Sequence, residues 1–347
     1  MRKWYGAAGP EQAAVLSSCV RISRNLRGIP FPAGLDSEGK HAIVKKLYDV
    51  VFNDKSAVSH DFHFIDLAGL KTAEAISLAE RGILHADFAE NREGRCILLS
   101  DDESRSIMAN GEDHFLFQVR APGLSLKDAY MSADRLETIL DKSLHFAYDE
   151  RLGYLTSNPA ILGTGMLVSL DLHLPALADT GAAARISANL LPLGISLSSA
   201  MHPHGSVYRL SNRMTLGISE QAAVDNLCGI ARQIIEQEYE VRQKLIRSIS
   251  VQDTVGRSLG IFRSARLLSY DEFLDLASIV RFGIATGFVK SFRVEKIDSL
   301  AMRVQPAGLA LEAGVGLTGE EECAMRAGIV REAFSERAQE DGNEGNG

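Results

Sequence analysis

The sequence predicts an α+β protein, an antiparallel sheet flanked by helices and followed by a helical C-terminal region. Three observations carry this. Between residues 95 and 122, short apolar runs separated by turn signals read as an antiparallel meander. Met166-Leu-Val-Ser-Leu-Asp-Leu-His-Leu174 alternates apolar and polar residues as a half-buried strand does. From Ile218 onward the pattern is helical, with segments divided by glycines.

Residues 1–90 mix short helical patterns with turns such as Ile29-Pro-Phe-Pro-Ala-Gly34. Cys96-Ile-Leu-Leu-Ser100, Ser106-Ile-Met-Ala109 and His114-Phe-Leu-Phe-Gln-Val119 form the meander. Ser125 to Tyr148 places Leu126, Ala129, Leu136, Ile139, Leu140 and Leu144 at helical spacing, which predicts an amphipathic helix. In the 166–174 strand, Met166, Val168, Leu170, Leu172 and Leu174 face one side, while Ser169, Asp171 and His173 face the other. An Ala-rich helix at 180–192 and strands near 195–201 and 206–211 follow. A long helix runs from Ile218 to about Ser248, with further helices at Asp271 to Thr286 and Glu320 to Ala338. The polar, Gly-rich tail 339–347 is expected to be disordered.

The chain has 347 residues, 46% hydrophobic and 24% charged, enough to bury a sizeable core and to form two domains. Its formal net charge of -8 argues against a general nucleic-acid or membrane-surface role. Cys19, Cys96, Cys228 and Cys323 form no C-x-x-C pair, so neither a zinc signature nor a disulfide framework is present. With no signal-like N-terminus and no long apolar run, the expected location is the reducing cytoplasm, away from the membrane.

Five segments, in order, carry a resemblance. They are Val15-Leu-Ser-Ser-Cys-Val-Arg-Ile-Ser-Arg-Asn-Leu26, Asn110-Gly-Glu-Asp-His114, Tyr154-Leu-Thr-Ser-Asn-Pro-Ala-Ile-Leu-Gly-Thr-Gly-Met-Leu-Val168, Tyr208-Arg-Leu-Ser-Asn-Arg-Met-Thr-Leu-Gly217 and Val280-Arg-Phe-Gly-Ile-Ala-Thr-Gly287. Together the chain resembles the ATP:guanidino phosphotransferases, the phosphagen kinase family, and within it the bacterial protein-arginine kinases of the McsB type. The resemblance implies a guanidino-kinase catalytic-type domain over residues 1–248 and a helical McsB-type dimerisation domain over 249–338. It also implies ATP and Mg as co-substrate and cofactor, and in-line phosphoryl transfer to a guanidinium. Such transfer depends on arginines that clamp phosphate and on a glutamate that holds the guanidinium and acts as base.

Most of that set is substituted. Where the family carries phosphate-binding arginines, this chain has Cys19, Leu116 and Leu167. The stretch Leu193-Gly-Ile-Ser-Leu-Ser-Ser199 offers neither the arginine nor the glutamate of a fourth motif. Arg21 remains, and Arg24 stands at the next basic position as a residual nucleotide binder or a structural ion-pairing group. Glu112 occupies the guanidinium-binding position, with Asp113 and His114 beside it. The three read either as a surviving fragment of a site or as a structural turn. Asn158 replaces the family's substrate-contacting cysteine. Each charge-assisted hydrogen bond contributes roughly 1.5–3 kcal/mol, so losing four such arginines costs at least about 6 kcal/mol. Micromolar-to-millimolar binding is worth only about 4–8 kcal/mol in total, so ATP is expected to bind more weakly than millimolar.

The family's C-terminal phosphoarginine-reading motif, R-D-x-x-R-A, appears as Glu322-Cys-Ala-Met-Arg-Ala327, with an acidic side chain where the phosphate contact would be. His202-Pro-His204 has no neighbouring carboxylate or cysteine to complete a metal site, and no metal is expected. Gly163-Thr-Gly165 lacks the Lys-Ser/Thr of a phosphate loop and reads as a tight backbone turn. The reading that follows is a degenerate pseudokinase with a regulatory or scaffolding role. It would be a homodimer or a heterodimer with an active McsB-type kinase, with an McsA-like activator as a further partner. The alternative is an active kinase using rearranged cations such as Arg209 and Arg213.

Overall fold

The computed structural model describes residues 2–53, 56–200 and 204–335. The disordered-tail expectation and His202 lie outside the described residues.

Among the described residues the ten strands are β1 Val15–Arg24, β2 His63–Asp66, β3 Cys96–Leu99, β4 Arg105–Ala109, β5 Phe115–Pro122, β6 Tyr148–Asp149, β7 Gly153–Tyr154, β8 Met166–His173, β9 Ile195–Ser199 and β10 Val207–Asn212. Twelve α-helices accompany them among the described residues: α1 Ser37–Tyr48, α2 Thr72–Glu80, α3 Ala86–Glu90, α4 Leu126–Leu144, α5 Pro175–Asp179, α6 Ala182–Leu190 and α7 Glu220–Leu245 precede α8 Ile249–Ser264, α9 Tyr270–Ala285, α10 Val294–Arg303, α11 Pro306–Ala313 and α12 Gly319–Ala333. Eight strands form one sheet in the order β2-β3-β4-β5-β1-β8-β10-β9, and β6 and β7 make a separate hairpin. Every neighbouring pair in the large sheet is antiparallel. The α+β class therefore stands.

Strand β1 lies at the centre of the sheet, within a region whose sequence reads as short helices and turns. Its two faces explain the weak signal. Val20 and Ile22 point into the core, but Ser18 shares that face, and Ser17, Cys19, Arg21 and Ser23 make up the other. The register sets Val20 beside Val119 and Val168, and Ile22 beside Phe117 and Met166. On that side α4 and α7 cover the sheet through Leu136, Leu140, Leu227 and Ile234, all in one buried cluster. Burying a side chain of this size contributes about 1.5–3 kcal/mol, so the amphipathic faces of these helices hold the sheet in place.

The 166–174 alternation holds: Met166, Val168, Leu170 and Leu172 are buried, and Leu167, Ser169 and Asp171 face the other way. Helix α4 stops at Leu144, short of Tyr148, because His145 takes a left-handed φ of 57° and its N–H closes on Asp141. Helix α5 has no counterpart in the sequence pattern, and Glu238 of α7 caps its first turn by accepting from the Ala176 and Leu177 N–H groups.

Helices α8 to α12 surround a second buried cluster, in which Phe262 packs against Phe273 and Phe334 at centroid distances of 5.7 and 5.2 Å. This helical part is stitched to the sheet by arginines. Arg242 of α7 and Arg281 of α9 both donate to the Ala13 carbonyl, at 2.7 and 3.0 Å. Both also reach His173 Nδ1, at 3.3 and 3.2 Å, while its Nε2 lies 2.8 Å from Ser278 Oγ. Burial and the two guanidiniums push the His173 imidazole well below its ordinary value, so it stays neutral. His204 pairs with Asp275 at 2.9 Å. Among the described residues, no cluster of three or more His, Cys, Asp or Glu side chains is arranged to hold a metal.

Candidate functional site

A cleft of about 480 Å³ opens over the polar face of the central strands. Its floor is set by register. Arg21 on β1 pairs with Gln118 on β5 and Leu167 on β8, and Ser23 pairs with Leu116. Arg21, Leu116, Leu167, Glu112 and Asn158 all line it, so the structure brings together five of the seven residues singled out from sequence. Cys19 lies one step further along β1, buried between Arg120 and Ser169.

Arg24 does not reach the cleft. It belongs to the opposite face of β1, where it is buried against Glu137 of α4 at 2.7 Å and donates to the Ser23 and Thr164 carbonyls. Its guanidinium also stacks 3.3 Å from the Tyr154 ring centroid. With its hydrogen bonds spent inside the fold, Arg24 drops out of the residual nucleotide-binding pair.

The Glu112-Asp113-His114 triplet divides. Asp113 is buried and accepts from Asn25 Nδ2 at 2.6 Å and from the Ser157 N–H at 2.7 Å. His114 accepts from the Leu26 N–H on Nδ1 at 2.9 Å and meets the Pro30 carbonyl through Nε2 at 2.8 Å. That pattern fixes the tautomer as Nε2–H. Burial, only partly offset by the Pro30 carbonyl and Asp113, holds the ring below its ordinary value. Both residues therefore lock the start of β5 to the end of β1. Glu112 is exposed at the cleft, and only its backbone carbonyl is tied down, by the Ser157 hydroxyl at 2.7 Å.

Asn158 caps the short turn Pro159–Ile161, its Oδ1 accepting from the Ala160 N–H at 3.0 Å. One of the two acceptor sites of that oxygen is thus taken by the turn. A Cβ added at Gly111 would lie 2.8 Å from the Phe88 ring. The ring of α3 has taken the space of a side chain. Gly163 sits at φ 101°, and a Cβ there would lie 2.2 Å from the Thr215 carbonyl oxygen, in keeping with a tight turn.

The chemical balance of the cleft is unfavourable to polyphosphate. Among the described residues Arg21 is its one arginine, and it shares the lining with the carboxylates Asp87, Glu112 and Asp113 and the apolar side chains Phe88, Met108, Leu116, Ile161 and Leu167. Arg21 itself donates from Nε to Gln118 Oε1 at 2.8 Å. Burial, together with the like charges of Arg120 and Arg209, weakens its hold on the proton, against the favourable influence of Cys19 and Asp171. The two alternative cations do not supply what is missing. Arg209 makes a two-pronged pair with Asp171, at 2.8 and 3.0 Å, and Arg213 is exposed and does not line the cleft. These residues do not fit ATP.

In the helical region, Arg326 is fully buried and donates to the Val304 and Leu268 carbonyls at 2.9 and 3.0 Å. Its remaining nitrogen is paired with Glu322. The surviving half of the phosphoarginine-reading motif is therefore satisfied by the substitution in the other half.

Sequence reasoning did not single out Arg120. It lies on the same sheet face as Arg21, in register with Cys19, and is buried. The strand pattern alone carried a signal, since Leu116, Gln118 and Arg120 alternate with core residues of β5.

Comparison with known proteins agrees with this architecture. Residues 42–241 match the family model "ATP:guanido phosphotransferase, C-terminal catalytic domain", and residues 248–345 match "Protein-arginine kinase McsB C-terminal domain". The chain is 33% identical over 326 residues to a protein-arginine kinase of Caldanaerobacter subterraneus subsp. tengcongensis, covering 92% of this chain and 96% of that protein. It is 35% identical over 335 residues to one of Brevibacillus brevis, covering 95% and 94%. The duplicated taurocyamine kinase of Schistosoma mansoni, solved with bound transition state analog components, superposes with a TM-score of 0.59 at 24% identity, over 65% of this chain and 33% of that one. That likeness speaks for the fold. The chain belongs to the ATP:guanido phosphotransferase family, among the homologues of the bacterial protein-arginine kinases.

Proposed function

We propose that this chain is a catalytically impaired relative of the protein-arginine kinases, with a regulatory or scaffolding role. The observation that carries the reading is the cleft floor, where Leu167 stands directly opposite Arg21 and Leu116 opposite Ser23. Phosphoryl transfer relies on positioned cations that stabilise charge in the transition state. A single arginine in a lining that also holds three carboxylates cannot supply that field. The lost contacts alone amount to at least about 6 kcal/mol. Glu112 keeps the guanidinium-facing position without the partners that would make it a base in this reaction.

The rest of the frame is kept, which fits a protein retained for its surfaces. We infer a family-type dimer through the helical region, as a homodimer or with an active protein-arginine kinase, and an activator of the McsA type as a further partner. A cytoplasmic location goes with this reading, and no helix among the described residues is long and apolar enough to cross a membrane.

Incubating the purified chain with Mg-ATP and a protein substrate tests the reading. The expected result is no phosphoarginine above background. Phosphorylation that Glu112→Ala abolishes would overturn it and favour the active alternative.

A further inference from the structure

A second cavity, of about 160 Å³, lies between the sheet and helices α9 and α10, apart from the cleft described above. Its walls are largely apolar, with Trp4, Leu274, Ala277, Ile297, Ala301 and Met302 facing inward. Four arginines also line it, and three are neutralised. Arg81 pairs with Glu103 at 3.1 Å, Arg209 with Asp171 at 2.8 Å, and Arg281 with Asp298 at 2.8 Å.

Arg120 is the fourth. It is 6% exposed, and its Nε has no hydrogen-bond partner. Among the described residues its guanidinium makes neither an ion pair nor a side-chain hydrogen bond. It lies against Gly82 on one side, and its Cζ is 5.5 Å from the Trp4 ring centroid on the other. The same side chain also lines a neighbouring recess, together with Arg2, Arg105, Asp102 and Asp128. A guanidinium stays cationic in a protein interior, and an isolated buried charge is strongly unfavourable unless an anion meets it. Glu80, the remaining carboxylate of the wall, is engaged elsewhere, with both oxygens 3.0 Å from the Ala307 N–H.

We propose that this interdomain cavity binds a small monocarboxylate with an aliphatic body, its carboxylate held by the Arg120 guanidinium. The planar fork of an arginine matches a carboxylate through two parallel hydrogen bonds. Of the four arginines only Arg120 lacks a carboxylate in hydrogen-bond contact, and the Glu80 and Asp171 carboxylates in the same wall repel a ligand more strongly the higher its negative charge, which favours a monoanion over phosphate. The apolar wall calls for a short hydrocarbon body, in the manner of small-molecule sites lined by aliphatic groups with few polar anchors. The residues of the Glu322-Cys-Ala-Met-Arg-Ala327 stretch do not line this cavity. The inference stands independently of whether the cleft retains kinase activity.

Trp4 is the chain's single tryptophan and lines the site, so its emission reports on occupancy. The test is a fluorescence titration of the full chain with isobutyrate and hexanoate at constant ionic strength. Isobutyramide serves as the neutral control and inorganic phosphate as the second anion. Expected is a saturable change with the carboxylates, none with isobutyramide, and a response to phosphate at least roughly tenfold weaker. Arg120→Gln should weaken the carboxylate response by about tenfold or more. Ala301→Phe, which keeps the arginine and fills the cavity, should abolish it, and decides the matter if Arg120→Gln does not fold. No saturable change with either carboxylate, an equal response to isobutyramide, a response to phosphate alone, or unchanged titration of both variants would each overturn the proposal.

Discussion

Asp171 on β8 and Arg209 on β10 stand opposite each other in the sheet and close a two-pronged ion pair, with N–O distances of 2.8 and 3.0 Å. The Ser17 hydroxyl adds a third contact to the carboxylate at 3.1 Å. A cation on the polar sheet face that looks free in the sequence is thus consumed by its neighbour. Burial alone would raise the Asp171 carboxyl, but Arg209 overrides it and holds the group below the ordinary carboxylate value. A depressed folded value means the pair's stabilisation is full above the unfolded value of about 3.9 and is lost as pH falls through the folded one. Asp171→Asn should cost about 3 kcal/mol at pH 7, with the gap to the parent closing in acid below about pH 4. Urea unfolding at the two pH values measures both.

His173 acts on stability in the same direction, over a higher pH window. Held neutral by burial between Arg281 and Arg242, it binds fewer protons folded than unfolded. Its contribution is therefore complete above the unfolded value of about 6.5 and falls on acidification below it, by up to about 1.4 kcal/mol per pH unit. His114 acts in the same sense. Denaturant midpoints between pH 7.5 and 5.5 should show this slope, and His173→Gln should flatten it. An unchanged slope in that variant would count against a neutral His173.

The two arginines retained on β1 should behave differently. Arg24 is buried with Glu137, Thr164 and Tyr154, so Arg24→Ala leaves a buried carboxylate alone and should cost about 3–5 kcal/mol. Arg21 is half-buried with Gln118 as its one neutral hydrogen-bond partner, and Arg21→Ala should cost no more than about 1.5 kcal/mol. Chemical denaturation of the pair distinguishes a structural arginine from one facing the cleft.

Putting arginines back should restore affinity. Leu116 and Leu167 are only partly buried and line the cleft, so the double change Leu116→Arg, Leu167→Arg has room to project into it. At roughly 1.5–3 kcal/mol per charge-assisted contact, Mg-ATP should bind at least about 100-fold more tightly than to the parent. Fluorescent-nucleotide competition would measure the gain, and a folded variant with no gain would mean the leucines are not what prevents binding.

Much of this was legible in the sequence where one residue decides the matter. The β8 alternation is visible because one of its faces is wholly core, and the leucines at 116 and 167, expected at the cleft from the resemblance, do line it. Strand β1 was not legible, since Ser18 on the core side and Cys19 on the cleft side blur its period. Nor could the fates of Arg24 and Arg209 be read, because their partners lie 113 and 38 residues away. Only the sheet register brings Glu137 and Asp171 within reach. The unpaired state of Arg120 is still further from sequence, being the outcome of which neighbouring carboxylates are already taken.

The most direct test of the proposed loss of nucleotide binding is calorimetric titration of the folded chain with Mg-ATP, beside an active protein-arginine kinase as positive control. No heat of binding at millimolar nucleotide is the expected result, because Arg21 alone cannot offset the loss of the other phosphate contacts. Binding tighter than about 100 μM would contradict it, and would mean that cations outside the cleft floor have replaced them.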